Sequence, residues 1–254
     1  MADLIVFSVG SNKYALDIEH VQRIIQSQEL TNIPNAHKLV DGIMSYEESV
    51  LKVVSFRNLI GLQSYKAELQ ELFEKLKKGH GLWVDDLKHS LETGKKFTKT
   101  TNPRMCELGL WIDSFTSYDD RVTEVLSTLV AYHKQLHTRG GDALELYLED
   151  KEAALKIFNV EILTMYEHTM GALSTFMEEL DTVANSLQKM LIYENNEKLF
   201  AIRVDTIEDI AHIEEGQIIS SSEDDKQCDF LDLEGVLDID GVLINVIKSV
   251  KLPS

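Results

Sequence analysis

The chain has 254 residues, 44% of them hydrophobic and only three proline, which is enough apolar material for one large or two modest cores. Its formal net charge of −18 repels phosphate backbones and anionic lipid, so nucleic acid and membrane surfaces are poor partners and other proteins are the expected ones. It contains neither a long uninterrupted apolar run nor a basic N-terminus leading into one, so no transmembrane span or signal peptide is expected, and a reducing cytoplasmic setting would leave Cys106 and Cys228 unbridged.

In chain order, Tyr14 to Ile18 alternates apolar with polar residues behind a Gly10-Ser11-Asn12 turn, which predicts a hairpin strand. Gly42 to Tyr46 followed by Val50 to Val54 predicts a second hairpin. From about residue 65 to 187, leucine and methionine replace valine and isoleucine, and helical spacing replaces alternation. The first helix there carries Leu69, Leu72, Phe73, Leu76, Trp83 and Leu87 on one stripe. Thr93 to Thr101 is polar and lysine-rich and predicts a loop. Asn102-Pro103 predicts the start of a second helix, because a first-turn proline lacks only a donor that would be unpaired anyway. A third helix is expected from Asp119 or Asp120 to His137, stopped by Gly140-Gly141, with Leu126, Leu129 and Val130 on its buried seam. The remainder to about Leu187 is helical by pattern with a break, and a four-helix bundle is the natural packing. Strand alternation returns at Phe200 to Val204, and the serine-rich, acidic Ser220 to Gln227 predicts a solvated loop that holds the bystander Cys228 just beyond it.

The two ends of the chain echo each other. Tyr14 to Ile24 matches Phe200 to Ile210 with apolar and polar positions in register, and Gly42 to Val54 parallels Gly235 to Ile247. Two related β halves are implied, each expected to form a small antiparallel barrel or sheet, separated by the helical segment.

Within that segment, His133 and His137 stand four residues apart on one helix, so both imidazoles leave the same face at a separation that suits a tetrahedral metal. The pair alone equally fits two surface or core histidines. His80 lies on the apolar stripe of its own helix, between Leu76 and Trp83. Cys106 is placed in the first turn of the second helix, where the helix dipole favours a thiolate and Gly109 leaves room, although a lone buried cysteine also reads as a small hydrophobe. His20, His37, His89, His168 and His212 have no converging partners.

Taken together, His80, twenty-five residues, Cys106, twenty-six residues, His133, three residues and His137, with Cys-x-Leu-Gly-x-Trp at 106–111, resemble the chemoreceptor zinc-binding domain, or CZB, over about 66–185. That resemblance implies zinc held by His80, Cys106, His133 and His137 in a four-helix bundle that often dimerises, and a sensor of zinc or of hypochlorous acid acting through Cys106. Four protein ligands close a tetrahedral shell and leave no place for substrate or activated water, so no enzyme is expected.

Residues 3 to 63 resemble the first half of CheW, the adaptor that joins chemoreceptors to the histidine kinase CheA. The residues that carry this are Phe7-Ser8-Val9-Gly10, Tyr14-Ala15-Leu16, Val21-Gln22-Arg23-Ile24, Leu30 to Asn35, Gly42-Ile43 and Arg57 to Leu62. Residues 188 to 251 resemble its second half. The resemblance implies an α+β chain: two SH3-like five-stranded β-barrels, 1–64 and 188–254, interrupted by the zinc-binding bundle at 65–187. It implies CheA and chemoreceptors as partners, recruitment to receptor arrays, and a partner surface that includes Val21, Arg23, Ile24 and Glu47. The chain departs from the family pattern where Val-x-Glu-Ile becomes Val-x-Arg-Ile at Arg23 and where an Arg-Gly pair becomes Glu47-Glu48. These are either an ion pair of inverted polarity or two unrelated surface changes. A stand-alone zinc or redox sensor that uses the β scaffold for another partner is the alternative function.

Overall fold

The alternating, β-branched segments form strands because one face of each can then be buried while the other meets water. The computed structural model describes residues 2–117, 119–214, 216–220 and 229–253. Its contacts separate into one unit of Met1–Ala67 with Ala184–Ser254 and a second of Glu68–Val183. Cys228 and all but the start of the acidic loop expected at Ser220 to Gln227 lie outside the described residues.

The first unit contains β1 (Ala2–Val9), β2 (Asn12–Asp17), β3 (Val21–Gln26), β4 (Val40–Tyr46), β5 (Ser49–Ser55) and the helical turn α1 (Phe56–Leu59). After the helical unit come β6 (Lys189–Asn195), β7 (Lys198–Val204), β8 (Thr206–Ile213), the two-residue β9 (Ile219–Ser220), β10 (Leu231–Ile239) and β11 (Val242–Val250). One sheet runs β8-β1-β2-β11-β10-β9 and the other β3-β6-β7-β5-β4. Each therefore draws strands from both ends of the chain, and β2 with β11 and β5 with β7 pair in parallel. The expected α+β fold, two β sheets with a helical insert, is present; what the pairing corrects is the expectation that each half forms its own antiparallel barrel or sheet. Alternation specifies which face of a strand is buried; it does not specify which strand lies beside it.

The repeat is nevertheless real in three dimensions. The β1–β2 hairpin is flanked by β8 and β11, and the β6–β7 hairpin by β3 and β5, so the two halves exchange equivalent strands. Gly42 and Gly235 occupy matching bulges. A β-carbon on Gly42 would lie 2.7 Å from the Thr31 carbonyl oxygen, and one on Gly235 would lie 2.2 Å from that of Ile219, so the repeated glycine admits a neighbouring backbone. Among the described residues no ladder joins β3 to β4 or β8 to β9. The two edges of the five-stranded sheet approach each other, with Arg23 over the ring of Tyr46, 5.9 Å from its centroid.

The two sheets share a core that includes Phe7, Tyr14, Leu16, Phe56, Tyr193 and Phe200. Beside it lies a buried polar knot. The Arg57 guanidinium, 2% exposed, donates to Asp205 from Nε at 2.8 Å and from Nη2 at 2.6 Å. The Gly10 N–H and Gln188 Nε2 donate to the same carboxylate at 2.8 and 3.0 Å. Such a pair is tolerable in a core because its remaining hydrogen-bonding capacity is also met.

The second unit contains α2 (Tyr65–Thr93), α3 (Glu107–Ser114), α4 (Asp120–Leu146), α5 (Lys151–Ile157), α6 (Leu163–Glu178) and α7 (Leu180–Leu187), with a π-helical turn at Phe158–Ile162 joining α5 to α6. Trp83, Leu87 and Leu91 of α2 pack on Leu136 and Ala143 of α4 and on Phe158 and Ile162. Phe73, Trp111 and Phe176 interlock elsewhere in the unit, with ring centroids 4.9 to 5.7 Å apart. Two expected boundaries move. Asn102-Pro103 makes a turn in which Asn102 Oδ1 accepts the Arg104 N–H at 3.0 Å, and the helix begins only at Glu107. α4 runs through Gly140-Gly141 to Leu146, because Gly140 faces the core and makes room there instead of ending the helix. Val130, 37% exposed, lies off the buried seam. No helix among the described residues is long and apolar enough to cross a membrane.

Candidate metal centre

Three helices converge on one buried cluster. The apolar stripe of α2 carries His80 inward, the inward face of α4 carries His133 and His137, and the turn before α3 delivers Cys106. His133 is 2% and His137 0% exposed, and Cys106 is only partly buried. One donor atom from each of the four lies within 4.8 Å of the others, the one such cluster among the described residues. Cys106 Sγ is 3.1 Å from His133 Nε2 and 3.9 Å from His80 Nε2.

Local structure explains each placement. Cys106 is the residue that caps α3, one position before its first turn, and its sulfur accepts the Gly109 N–H at 3.3 Å. A β-carbon on Gly109 would lie 1.7 Å from the Pro103 carbonyl oxygen, so glycine lets the turn press against the helix start. His80 Nδ1 sits 2.9 Å from the Leu76 carbonyl, which can only accept, so the proton is on Nδ1 and Nε2 keeps its lone pair for the cluster. Trp83 supports the site in a way its place on an apolar stripe did not reveal. Its ring lies 4.7 Å from His137, and its indole N–H donates to the Thr100 carbonyl at 2.8 Å, tying the segment that leads to Cys106 back to α2.

Burial leaves the cluster uncharged. Burial, then the neighbouring His137 and His80 rings, push His133 down to about 3. Burial, then His80, push His137 to about 4. Burial also lowers His80. All three imidazoles are therefore neutral at physiological pH. Burial raises the Cys106 thiol, outweighing the Gly109 and Leu108 N–H groups, so the helix start alone does not yield the expected thiolate. Neither ring nitrogen of His137 has a hydrogen-bond partner, although both are buried. Three neutral imidazoles and a thiol, with two orphaned nitrogens among them, fit a tetrahedral divalent cation such as zinc, and four protein donors would leave it no open position.

The expected partner surface lies on the other unit. Val21 packs against the β core, Ile24 is 40% exposed on edge strand β3, and Arg23 Nη1 lies 3.7 Å from Glu47 Oε1 in the β4–β5 turn. The structure thus brings together the two residues whose charges depart from the family pattern. Of the other histidines, His168 stacks on Tyr132 at 4.5 Å, His212 Nδ1 lies 2.7 Å from Asp3, and none joins a ligand cluster. The Arg57–Asp205 knot was not anticipated as a unit, because its members lie 148 residues apart.

The family model of the CheW-like domain matches residues 3–102 and that of the chemoreceptor zinc-binding domain matches residues 80–144. Among curated proteins nothing matches. The chain is similar to the solved structure of the scaffolding protein TtCheW from Thermoanaerobacter tengcongensis at 12% identity and a TM-score of 0.46, over 97% of this chain and 88% of that one. It is also similar to the regulatory CZB domain of DgcZ at 17% identity and a TM-score of 0.39, over 45% of this chain and 98% of that one.

Proposed function

From a chain that combines a CheW-like domain with a chemoreceptor zinc-binding domain, we propose a chemotaxis adaptor that couples chemoreceptors to the histidine kinase CheA and is tuned by a zinc centre. The β strands of 1–64 and 188–254 form the coupling scaffold, and the insert at 65–187 is the sensor. His80, Cys106, His133 and His137 hold the zinc, and the observation that carries this reading is their convergence with both His137 nitrogens unpartnered. Bound there, zinc supplies a positive charge that cross-links α2, α4 and the start of α3.

Cys106 is the residue that lets the centre respond to oxidant. Its sulfur is the one donor of the four that a two-electron oxidant can convert, and hypochlorous acid would take the thiolate to a sulfenic acid with chloride leaving. A sulfenic acid is a poorer donor and no longer needs the cap position, so the segment from Thr100 to Cys106 is freed. The test is capture of CheA and of a chemoreceptor cytoplasmic fragment by the zinc-loaded, chelated and hypochlorite-treated full chain, beside Cys106→Ser. The reading requires capture by the zinc-loaded chain and a change on treatment that Cys106→Ser abolishes. No capture in any state overturns the adaptor role.

A second reading has its own support. The Arg23–Glu47 pair presents charges inverted from the family pattern, which would reverse the local potential offered to a partner. On this reading the scaffold serves a different protein, and the chain is a stand-alone zinc or redox sensor. The double exchange Arg23→Glu with Glu47→Arg decides: restored or improved capture of CheA supports a changed partner, and unchanged preference removes the idea.

A further inference from the structure

Beside the cluster lies a cavity of about 500 Å³ whose wall includes His80 and Cys106 but neither His133 nor His137. The two most deeply buried donors are thus behind, and the partly buried sulfur is in front. A metal held by the four would be approached from this cavity, and Cys106, the less buried of the two donors in its wall, is met before His80.

The charge of that side is opposite to that of the protein. Lys75, Lys78 and Lys99 line the cavity with Glu107 as the one carboxylate, giving the lining a net of +2 where the whole chain carries −18. Lys75 Nζ is held by Glu107 at 3.1 Å and Lys99 Nζ by Asp86 at 2.8 Å, so that with Asp86 counted the mouth keeps a net of +1, carried by Lys78. Lys78 is exposed and makes no ion pair among the described residues. Leu76, Leu82, Trp83 and Met105 make most of the remaining wall apolar. A hydrated divalent cation approaching this mouth meets like charge, whereas a small anion that already carries or seeks zinc meets opposite charge.

Resting on the zinc reading above, we infer that this cavity is the vestibule through which the centre exchanges its metal, and that the exchange partner is a small anionic chelate and not the hydrated ion. The lysines gather the chelate from a solvent that the acidic surface otherwise clears of anions. The apolar wall accepts its body, and Cys106 is the ligand it displaces first.

The test starts from the zinc-loaded full chain, its metal content measured by elemental analysis; a chain that takes up no zinc overturns the zinc reading, and this inference with it. On loaded protein, the rate of zinc removal is followed with EDTA, which is anionic, and with the uncharged chelator tetrakis(2-pyridylmethyl)ethylenediamine. The wild type is compared with Lys78→Glu and with Lys78→Glu/Lys99→Glu. EDTA removal is expected to rise with EDTA concentration and to slow about tenfold in the double variant at about 10 mM salt, with the difference vanishing near 1 M salt. The single variant should show a smaller slowing of the same kind, and removal by the uncharged chelator should be unchanged in both. An EDTA rate equal in wild type and variants overturns the inference, as does an equal slowing with both chelators, which would mark a general structural effect. A rate independent of chelator concentration overturns it too, because the metal then leaves unassisted.

Discussion

Trp83 fills the space that a side chain on Gly140 would need: a β-carbon there would lie 2.3 Å from its Cη2 atom. Gly140 follows His137 by three residues on α4, and the same indole touches the His137 ring and holds the Thr100 carbonyl. Gly140→Ala should therefore force the indole out of place, destabilising the helical unit by about 1–3 kcal/mol as overpacked cores are, and should weaken zinc binding as well. The chain has two tryptophans, so in a Trp111→Phe background the emission of Trp83 reports the displacement directly. Wild-type emission, urea midpoint and zinc affinity in Gly140→Ala would refute this account.

Removing the metal should act on one unit only. Zinc that binds the folded cluster and not the open chain adds binding free energy to folding, on the order of 10 kcal/mol in small zinc-dependent domains. Chelation is expected to lower the unfolding temperature of the helical unit and leave that of the β unit unchanged, splitting the transition into two. Calorimetry with and without chelator checks this, and His137→Ala should reproduce the chelated trace without any chelator. A single transition that shifts as a whole would contradict it.

The Arg57–Asp205 pair should behave as a buried ion pair whose partners depend on each other. Arg57→Met or Asp205→Asn alone leaves a charge or its hydrogen-bonding groups stranded in the core, a loss of about 3–5 kcal/mol. The double variant should cost much less than the sum of the two. Asp205→Asn also weakens the bonds from Gly10 and Gln188, so it is expected to be the worse single change. Chemical denaturation of the four proteins gives the coupling, and additive losses would show that the two residues act independently.

His212 and Asp3 predict a small pH dependence on the first unit. The hydrogen bond and charge of Asp3 raise the pKa of His212 above its ordinary 6.5. The folded state therefore holds the proton more tightly than the unfolded one. Its contribution is complete below about 6.5 and is lost as pH rises through the higher folded value. Both groups are exposed, so the effect is screened and should shrink with added salt. His212→Gln should flatten the stability profile of the β unit across that window, and an unchanged slope would assign the dependence elsewhere.

Alternation at Tyr14 to Ile18 and Phe200 to Val204, and helical spacing from Leu69 to Leu87, were enough to place strands and helices, because periodicity is a property of neighbours along the chain. Where helices begin and end was less legible. Asn102-Pro103 and Gly140-Gly141 carry boundary chemistry, but one is used for a turn and the other for the space Trp83 occupies, and both choices depend on what lies across the fold. The candidate zinc donors stood out because residue type and spacing coincide at His80, Cys106, His133 and His137.

By itself, then, the sequence determined the repeat, the helical insert and the chemistry of the donor set, all of which rest on local pattern and side-chain identity. Only the tertiary structure decided that the two halves exchange strands, that Arg57 and Asp205 meet across 148 residues, and that a lysine-lined cavity lies against His80 and Cys106. Each of those depends on which surfaces share a buried space, and no spacing along a single chain encodes that.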